Sequence, residues 1–162
     1  SVILQLNLNC TFAAHVEHYM PMPFKTMYQS DFYTIEVDVE GNLLRSKWHR
    51  AVNEQELKTG TIKLYEVLLE TKVERAVANG QEIGSIPPAS KDWLSTIFYE
   101  LLSKTNLKRL ARVLPANVFQ QIALESVVTR ADALGFTKYE VKSFTDPKEA
   151  LNWALEYKPV LQ

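Results

Sequence analysis

The stretch Leu107-Lys-Arg-Leu-Ala-Arg-Val-Leu-Pro115 restricts the fold of this 162-residue chain more than any other. Leu107, Ala111 and Val113 stand on one side-chain parity, Leu110 and Leu114 on the other. A strand with apolar residues on both parities is buried on both faces. Amphipathic helical patterns precede and follow it, so it reads as an interior strand of an α/β domain with helices on either side.

The rest of the chain supplies neighbours for that strand. Tyr33, Ile35, Val37 and Val39 share a parity, Glu40-Gly41-Asn42 supplies a turn, and Leu43 to His49 returns with Leu44, Ser46 and Trp48 on one face. This is an antiparallel hairpin, because Gly and Asn tolerate the positive φ such turns require. Three helix starts pair a capping side chain with a Glu or Gln three residues on: Asn53 with Glu56, Asn117 with Gln120, Asp146 with Glu149. Pro147 adds a first-turn proline, whose missing N–H would be unpaired there anyway.

The first helix puts Leu57, Thr61, Leu64, Leu68 and Thr71 on one face. Gly60 weakens it by up to about 1 kcal/mol relative to Ala. Arg75 to Asn79 is a short strand and Gly80 to Ala89 a loop. Ser90 is the expected cap of a second helix that buries Trp93, Leu94, Ile97, Phe98, Leu101 and Leu102. The helix from Asn117 is expected to turn Ile122, Ala123, Ser126, Val127, Ala131 and Leu134 inward and to end on Gly135. Tyr139 to Phe144 alternates, as a strand at a sheet border does, and a last helix buries Ala150, Leu151, Trp153, Ala154 and Tyr157.

The expected fold is therefore α/β: a mixed, mostly parallel sheet with an N-terminal antiparallel hairpin and helices packed on it. It occupies residues 27–162. Residues 1–26 form an N-terminal extension in which Leu4, Leu6, Leu8 and Cys10 alternate as a strand, Met20-Pro-Met-Pro23 rules out a helix, and Pro21 to Thr26 is a connector. That arm is expected to pair as a strand, within the chain or across a homodimer.

Composition limits the function. The 46% hydrophobic and 23% charged content is that of a folded domain, and a net charge of −1 gives no reason to expect nucleic acid or an anionic membrane. Lys104, Lys108, Arg109 and Arg112 cluster, but as sheet and solvated residues. No apolar run reaches the roughly 18 residues of a membrane span, and the first ten residues lack the pattern of a signal peptide. One cysteine, Cys10, excludes an internal disulfide and suits a reducing cytoplasm.

Catalytic motifs do not emerge. There is no nucleophile elbow and no Gly-rich phosphate loop, so neither an enzyme nor a cofactor is expected. His15-x-x-His18 has metal-ligand spacing, yet a third ligand is missing apart from the distant His49, so no metal is expected. Arg112 is the anomalous residue, a charge within the most apolar strand. It must pair with a carboxylate, with Glu36 and Asp38 as candidates, or hold an anionic ligand through its bidentate fork. Sheets of this kind take ligands beyond the C-terminal strand ends. That rule selects Asn79 and Gly80, the loop residues Ser85 and Ser90, and Asn117, with the helix N-termini at Ser90 and Asn117 offering free N–H donors. Trp48 and Trp93 read as core.

Tyr33-x-Ile35, Gly41-x-Leu43-Leu44-x-x-x-Trp48, Ala76-Val77-Ala78-Asn79, Asp92-Trp93, Lys108-Arg109-Leu110-Ala111-x-Val113 and Phe144-x-Asp146-x-x-x-Ala150-Leu151-x-Trp153 resemble the SpoIIAA-like branch of STAS-type domains. The resemblance covers roughly residues 27–157. It implies a small cytoplasmic bacterial domain that binds a protein partner or a small apolar or anionic ligand. It also implies a relation in architecture to anti-sigma-factor antagonists and to SEC14-type lipid carriers. Anti-sigma-factor antagonists carry a phosphorylatable Asp-Ser pair where a strand end meets a helix. The matching region here reads Ala78-Asn79-Gly80-Gln81 and has no such pair.

Overall fold

The structure, a computed structural model, describes residues 23–156. Six strands form one sheet in the order β1-β2-β3-β4-β5-β6: Lys25–Gln29, Tyr33–Asp38, Leu43–Trp48, Arg75–Asn79, Arg109–Val113 and Glu140–Phe144. The pairings β1–β2 and β2–β3 are antiparallel and the remaining three are parallel. Among the described residues there are four helices. α1 is Glu54–Thr71, α3 is Val118–Ala133 and α4 is Pro147–Leu155. α2 covers 88–102, with a π turn at Leu94–Phe98 between α-helical Pro88–Trp93 and Tyr99–Leu102. No helix among these residues is long and apolar enough to cross a membrane.

Strand parity decides which face each helix covers. Every β-α-β step from β3 to β6 moves in the same direction across the sheet. Right-handed crossovers then lay α1, α2 and α3 on a single face. Tyr33, Ile35, Leu44, Trp48, Ala76 and Leu110 meet them there in the main core. α4 follows the last strand and folds back over β4, β5 and β6 on the opposite face. There Leu43, Val77, Ala111 and Val113 pack on Ala150 and Ala154. β5 is thus enclosed on both faces, and all five of its residues are buried.

Local chemistry fixes the ends of these elements. Asn53 Oδ1 accepts from the Glu56 N–H at 2.8 Å, and Glu56 returns the contact to the Asn53 N–H at 3.1 Å, a complete capping box. At α3 only the Asn117 half forms, and Asp146 caps the Lys148 N–H rather than that of Glu149. α3 ends in a Schellman motif: Gly135, at φ 77°, donates to the Asp132 carbonyl, and Phe136 to that of Ala131. The hairpin turn places Asn42 at φ 55°, with the Gly41 N–H bound to Asp38.

Four expectations need correction. The first strand of the sheet is Lys25–Gln29, which runs across the expected boundary between arm and domain at residues 26 and 27. The arm strand Leu4–Cys10 and its pairing lie outside the described residues, as does Tyr157. Ser90 does not cap α2. The helix starts at Pro88 after Pro87, and Ser90 is buried in its first turn. Within α2 the Tyr99 N–H reaches the Leu94 carbonyl, five residues back. The extra residue rotates the later face, so Ser95 and Tyr99 turn inward and Ile97 outward. Finally, α3 buries Leu124, Val127 and Ala131, while Ile122, Ser126 and Leu134 face out.

Candidate functional site

Between the sheet and the layer formed by α1, α2 and α3 lies a cavity of about 70 Å³. Tyr33, Trp48, Leu57, Phe98, Leu110 and Leu124 are among the residues of its apolar wall, and Gly80 and Arg112 border it. Two of the six residues singled out from sequence therefore meet at one place. The other four do not join them. Asn79 folds its own loop, accepting from the Gln81 N–H at 3.0 Å and donating to Gln81 Oε1 at 3.2 Å. Ser85 is exposed, Ser90 is enclosed within α2, and Asn117 serves as the α3 cap. The strand order has no reversal, so the sheet lacks the switch-point crevice that puts ligands at strand ends in doubly wound folds.

Arg112 points to the helix face, whereas Glu36 and Asp38 belong to the opposite parity of β2 and cannot reach it. Glu36 pairs instead with Arg45 at 2.8 Å. The carboxylate partner of Arg112 is Glu125 of α3, at 3.3 Å. Arg112 Nη2 donates to the Leu124 carbonyl at 2.7 Å, and Nη1 also reaches Ser143 Oγ, its register neighbour on β6, at 3.4 Å. Ser143 in turn donates to Glu125. The guanidinium is engaged from two elements, which leaves little of its fork for an anion.

Thr61 and Tyr139 of this layer are committed as well, whereas the buried Ser46 Oγ has no hydrogen-bond partner among the described residues. Thr61 Oγ1 donates to the Leu57 carbonyl and accepts from Trp93 Nε1 at 3.0 Å. Tyr139 OH donates to the Tyr99 carbonyl at 2.9 Å. Trp48 and Trp93 pack in the core as the sequence suggests. By volume the cavity is about half the roughly 150 Å³ that accepts a benzene.

Burial raises the phenol pKa values of Tyr33, Tyr99 and Tyr139. At Tyr33 the Ser46 hydroxyl offsets part of the rise, and at Tyr99 and Tyr139 the positive charge of Arg112 does. A phenol with a raised folded-state value keeps its proton in the native state after the unfolded chain has begun to lose it. Its contribution is complete below the unfolded value of 10.0 and is lost as pH rises beyond it. Alkaline titration should therefore give two steps in tyrosinate absorbance. The second should coincide with loss of the circular-dichroism signal and report these three of the seven tyrosines. A single step completed before unfolding would contradict their burial.

A basic pair on the other face escaped the sequence reading. Arg109 Nη1 donates to the Trp153 and Glu156 carbonyls at 2.7 and 2.8 Å, and Arg75 Nη1 reaches that of Leu155 at 3.4 Å. The Arg109 guanidinium also lies over the Trp153 ring at 4.9 Å. α4 has no basic residue in its last turn, so these two strand arginines bind its free carbonyls and face the negative end of its dipole. The signal was available: Arg75 and Arg109 open parallel strands in register, on the parity that faces α4.

The metal-spaced His15 and His18, and Cys10, lie outside the described residues. His49 is bonded to Thr34 Oγ1 at 2.6 Å. No family model matches the chain, and neither the curated proteins nor the solved structures give a significant match.

Proposed function

We propose that this chain is a non-catalytic binding or regulatory module of the SpoIIAA-like STAS type, working in the cytoplasm through the outer face of α3. One observation carries the reading. Val118, Phe119 and Ile122 are 60, 81 and 60% exposed on the first turns of α3, directly after the loop that leaves β5. Single exposed apolar residues are ordinary, but three large ones together at one helix end form the kind of patch that marks a partner contact.

Two further points support it. The residues that carry the family resemblance fall on the hairpin, on β4 and β5, at Asp92 and Trp93 of α2, at the end of β6 and on α4, so most of them account for the fold and none lies on α3. Among the described residues Arg112, Thr61 and Tyr139 are engaged in hydrogen bonds and the interior cavity measures only about 70 Å³, which supports a surface role over a carried lipid.

Native mass spectrometry of the purified chain should return the mass of the polypeptide without a small ligand. A retained acyl ligand would favour a SEC14-like carrier and overturn the module. In affinity capture, Phe119→Ser should weaken partner retention about tenfold, the loss of an exposed aromatic contact worth about 1–2 kcal/mol. Its melting temperature should be unchanged. Retention equal to wild type would remove α3 as the contact face.

A further inference from the structure

The outer face of α3 has a bump and a hollow. Phe119, Ile122, Ser126, Thr129 and Ala133 recur at alternating spacings of three and four residues, which aligns them in one stripe on a helix. The stripe points away from the buried Leu124, Val127 and Ala131. Its N-terminal end projects Phe119 and Ile122 into solvent. Beyond Phe119 the surface forms a shallow, open hollow whose walls are Gln121, Ile122, Glu125 and Arg130 and whose small residues are Ser126, Thr129 and Ala133.

We infer that a second copy of this chain occupies this face, α3 against α3 in antiparallel arrangement about a two-fold axis near Ser126. The inference rests on the reading of α3 as the contact face and names its occupant. Phe119 and Ala133 each lie seven residues from Ser126, roughly 10 Å along the helix at about 1.5 Å per residue. An antiparallel copy centred on Ser126 therefore seats its Phe119 in the hollow beside Ala133, and its Ile122 beside Thr129 and the aliphatic stem of Arg130. The same contacts form twice, which is the requirement of an isologous interface.

Charge agrees with that occupant. The two charged residues flanking the stripe are already neutralised within the chain, Glu125 by Arg112 at 3.3 Å and Arg130 by Asp92 at 2.5 Å. An identical face meets no unbalanced charge there, and an acidic or basic peptide gains none. Area is adequate for a reversible dimer. Val118, Phe119 and Ile122 expose roughly 350 Å² per copy if a large side chain presents about 150–250 Å². Doubled, this is about 700 Å², below the roughly 1,000 Å² of a stable specific interface and in the range of a weak, reversible one.

Sedimentation equilibrium of the full chain should show a dimer at concentrations on the order of 100 µM, where a small interface of this class is occupied. Phe119→Asp should make it monomeric with unchanged circular dichroism and melting temperature. In a Cys10→Ser background, Ser126→Cys should form a disulfide-linked dimer on mild oxidation, since an axial pair brings its Cα atoms within bonding reach. Phe119→Cys alone should not cross-link, but mixed with an Ala133→Cys chain it should. A monomer at that concentration, a dimer indifferent to Phe119→Asp, or cross-linking of Phe119→Cys to itself would overturn the inference. A monomer whose partner capture still depends on Phe119 would remove the second copy and leave the binding module standing.

Discussion

Gly60→Ala is expected to lower stability by about 1–3 kcal/mol, the range for overpacking a well-packed core, although the same change in an isolated helix would raise it. Helix propensity favours Ala by about 1 kcal/mol, and that preference is the only term visible in the sequence. The structure adds the opposing one. A Cβ at position 60 would stand 2.5 Å from Trp48 Cη2 and 3.0 Å from Tyr33 Cδ2. Those rings are stacked with centroids 3.9 Å apart, and Phe32 lies against the far side of Trp48 at 6.4 Å. Tyr33 and Trp48 are buried, so neither ring can swing into solvent to make room. α1 would have to lift from the hairpin instead. Urea denaturation of the wild type, Gly60→Ala, Trp48→Phe and the double variant measures this directly. The smaller ring should recover part of the loss, giving a coupling of about 0.5 kcal/mol or more. A Gly60→Ala protein at least as stable as the wild type would show that the close approach of α1 to the hairpin is wrong.

Elements whose side chains obey one period were legible. The hairpin was, because Tyr33, Ile35 and Val37 on one strand face Trp48, Ser46 and Leu44 on the other, one parity meeting one parity. β5 was, because apolar residues on both of its parities admit only an interior position, and β6 because its alternation suits an edge. α2 and α3 were misread for separate physical reasons. In α2 the π turn changes the phase of the helix within one turn, and no residue in Leu94–Phe98 announces it. In α3 apolar residues fall all round the helix, with Val118, Phe119 and Ile122 as prominent as Leu124 and Val127. With large apolar residues at both the inner and the outer positions of its first turns, periodicity cannot say which face of α3 is inside. The error at α3 and the function proposed for it have a common origin.

The candidate site was legible only to the level of single residues. Arg112 stood out because a guanidinium in an apolar strand needs a partner. Finding that partner required the orientation of α3, because Glu125 comes from a helix turn on the other side of the layer. Gly80 was selected with Arg112 and does border the same cavity. Ser90 was misplaced because Pro87-Pro88 starts the helix earlier than the serine suggests. Arg75 and Arg109 were passed over because a role for a strand arginine at a helix end is set by tertiary register and not by neighbours in the chain.

Arg112→Ala should destabilise the protein by about 2–4 kcal/mol, the sum expected from a new cavity and the loss of buried hydrogen bonds. The substitution removes a side chain that fills space next to an existing cavity and binds the Leu124 carbonyl and Ser143. Its charge contributes much less than its contacts. Glu125 is 52% exposed on its side chain, so once released it turns to water and leaves no buried carboxylate behind. Desolvation of the guanidinium meanwhile offsets much of the Coulomb gain in the wild type. Arg112→Met, which keeps the stem but drops both the charge and its hydrogen bonds, should therefore cost about 1–2 kcal/mol, the hydrogen-bond part alone. Glu125→Gln should fall between the two, because it leaves the buried guanidinium with neutral acceptors only. Chemical denaturation at neutral pH should rank Arg112→Ala as the most damaging, Glu125→Gln next and Arg112→Met the least. A Met variant as unstable as the Ala variant would mean that the guanidinium's charge and hydrogen bonds, and not the volume of its stem, hold β5 to α3.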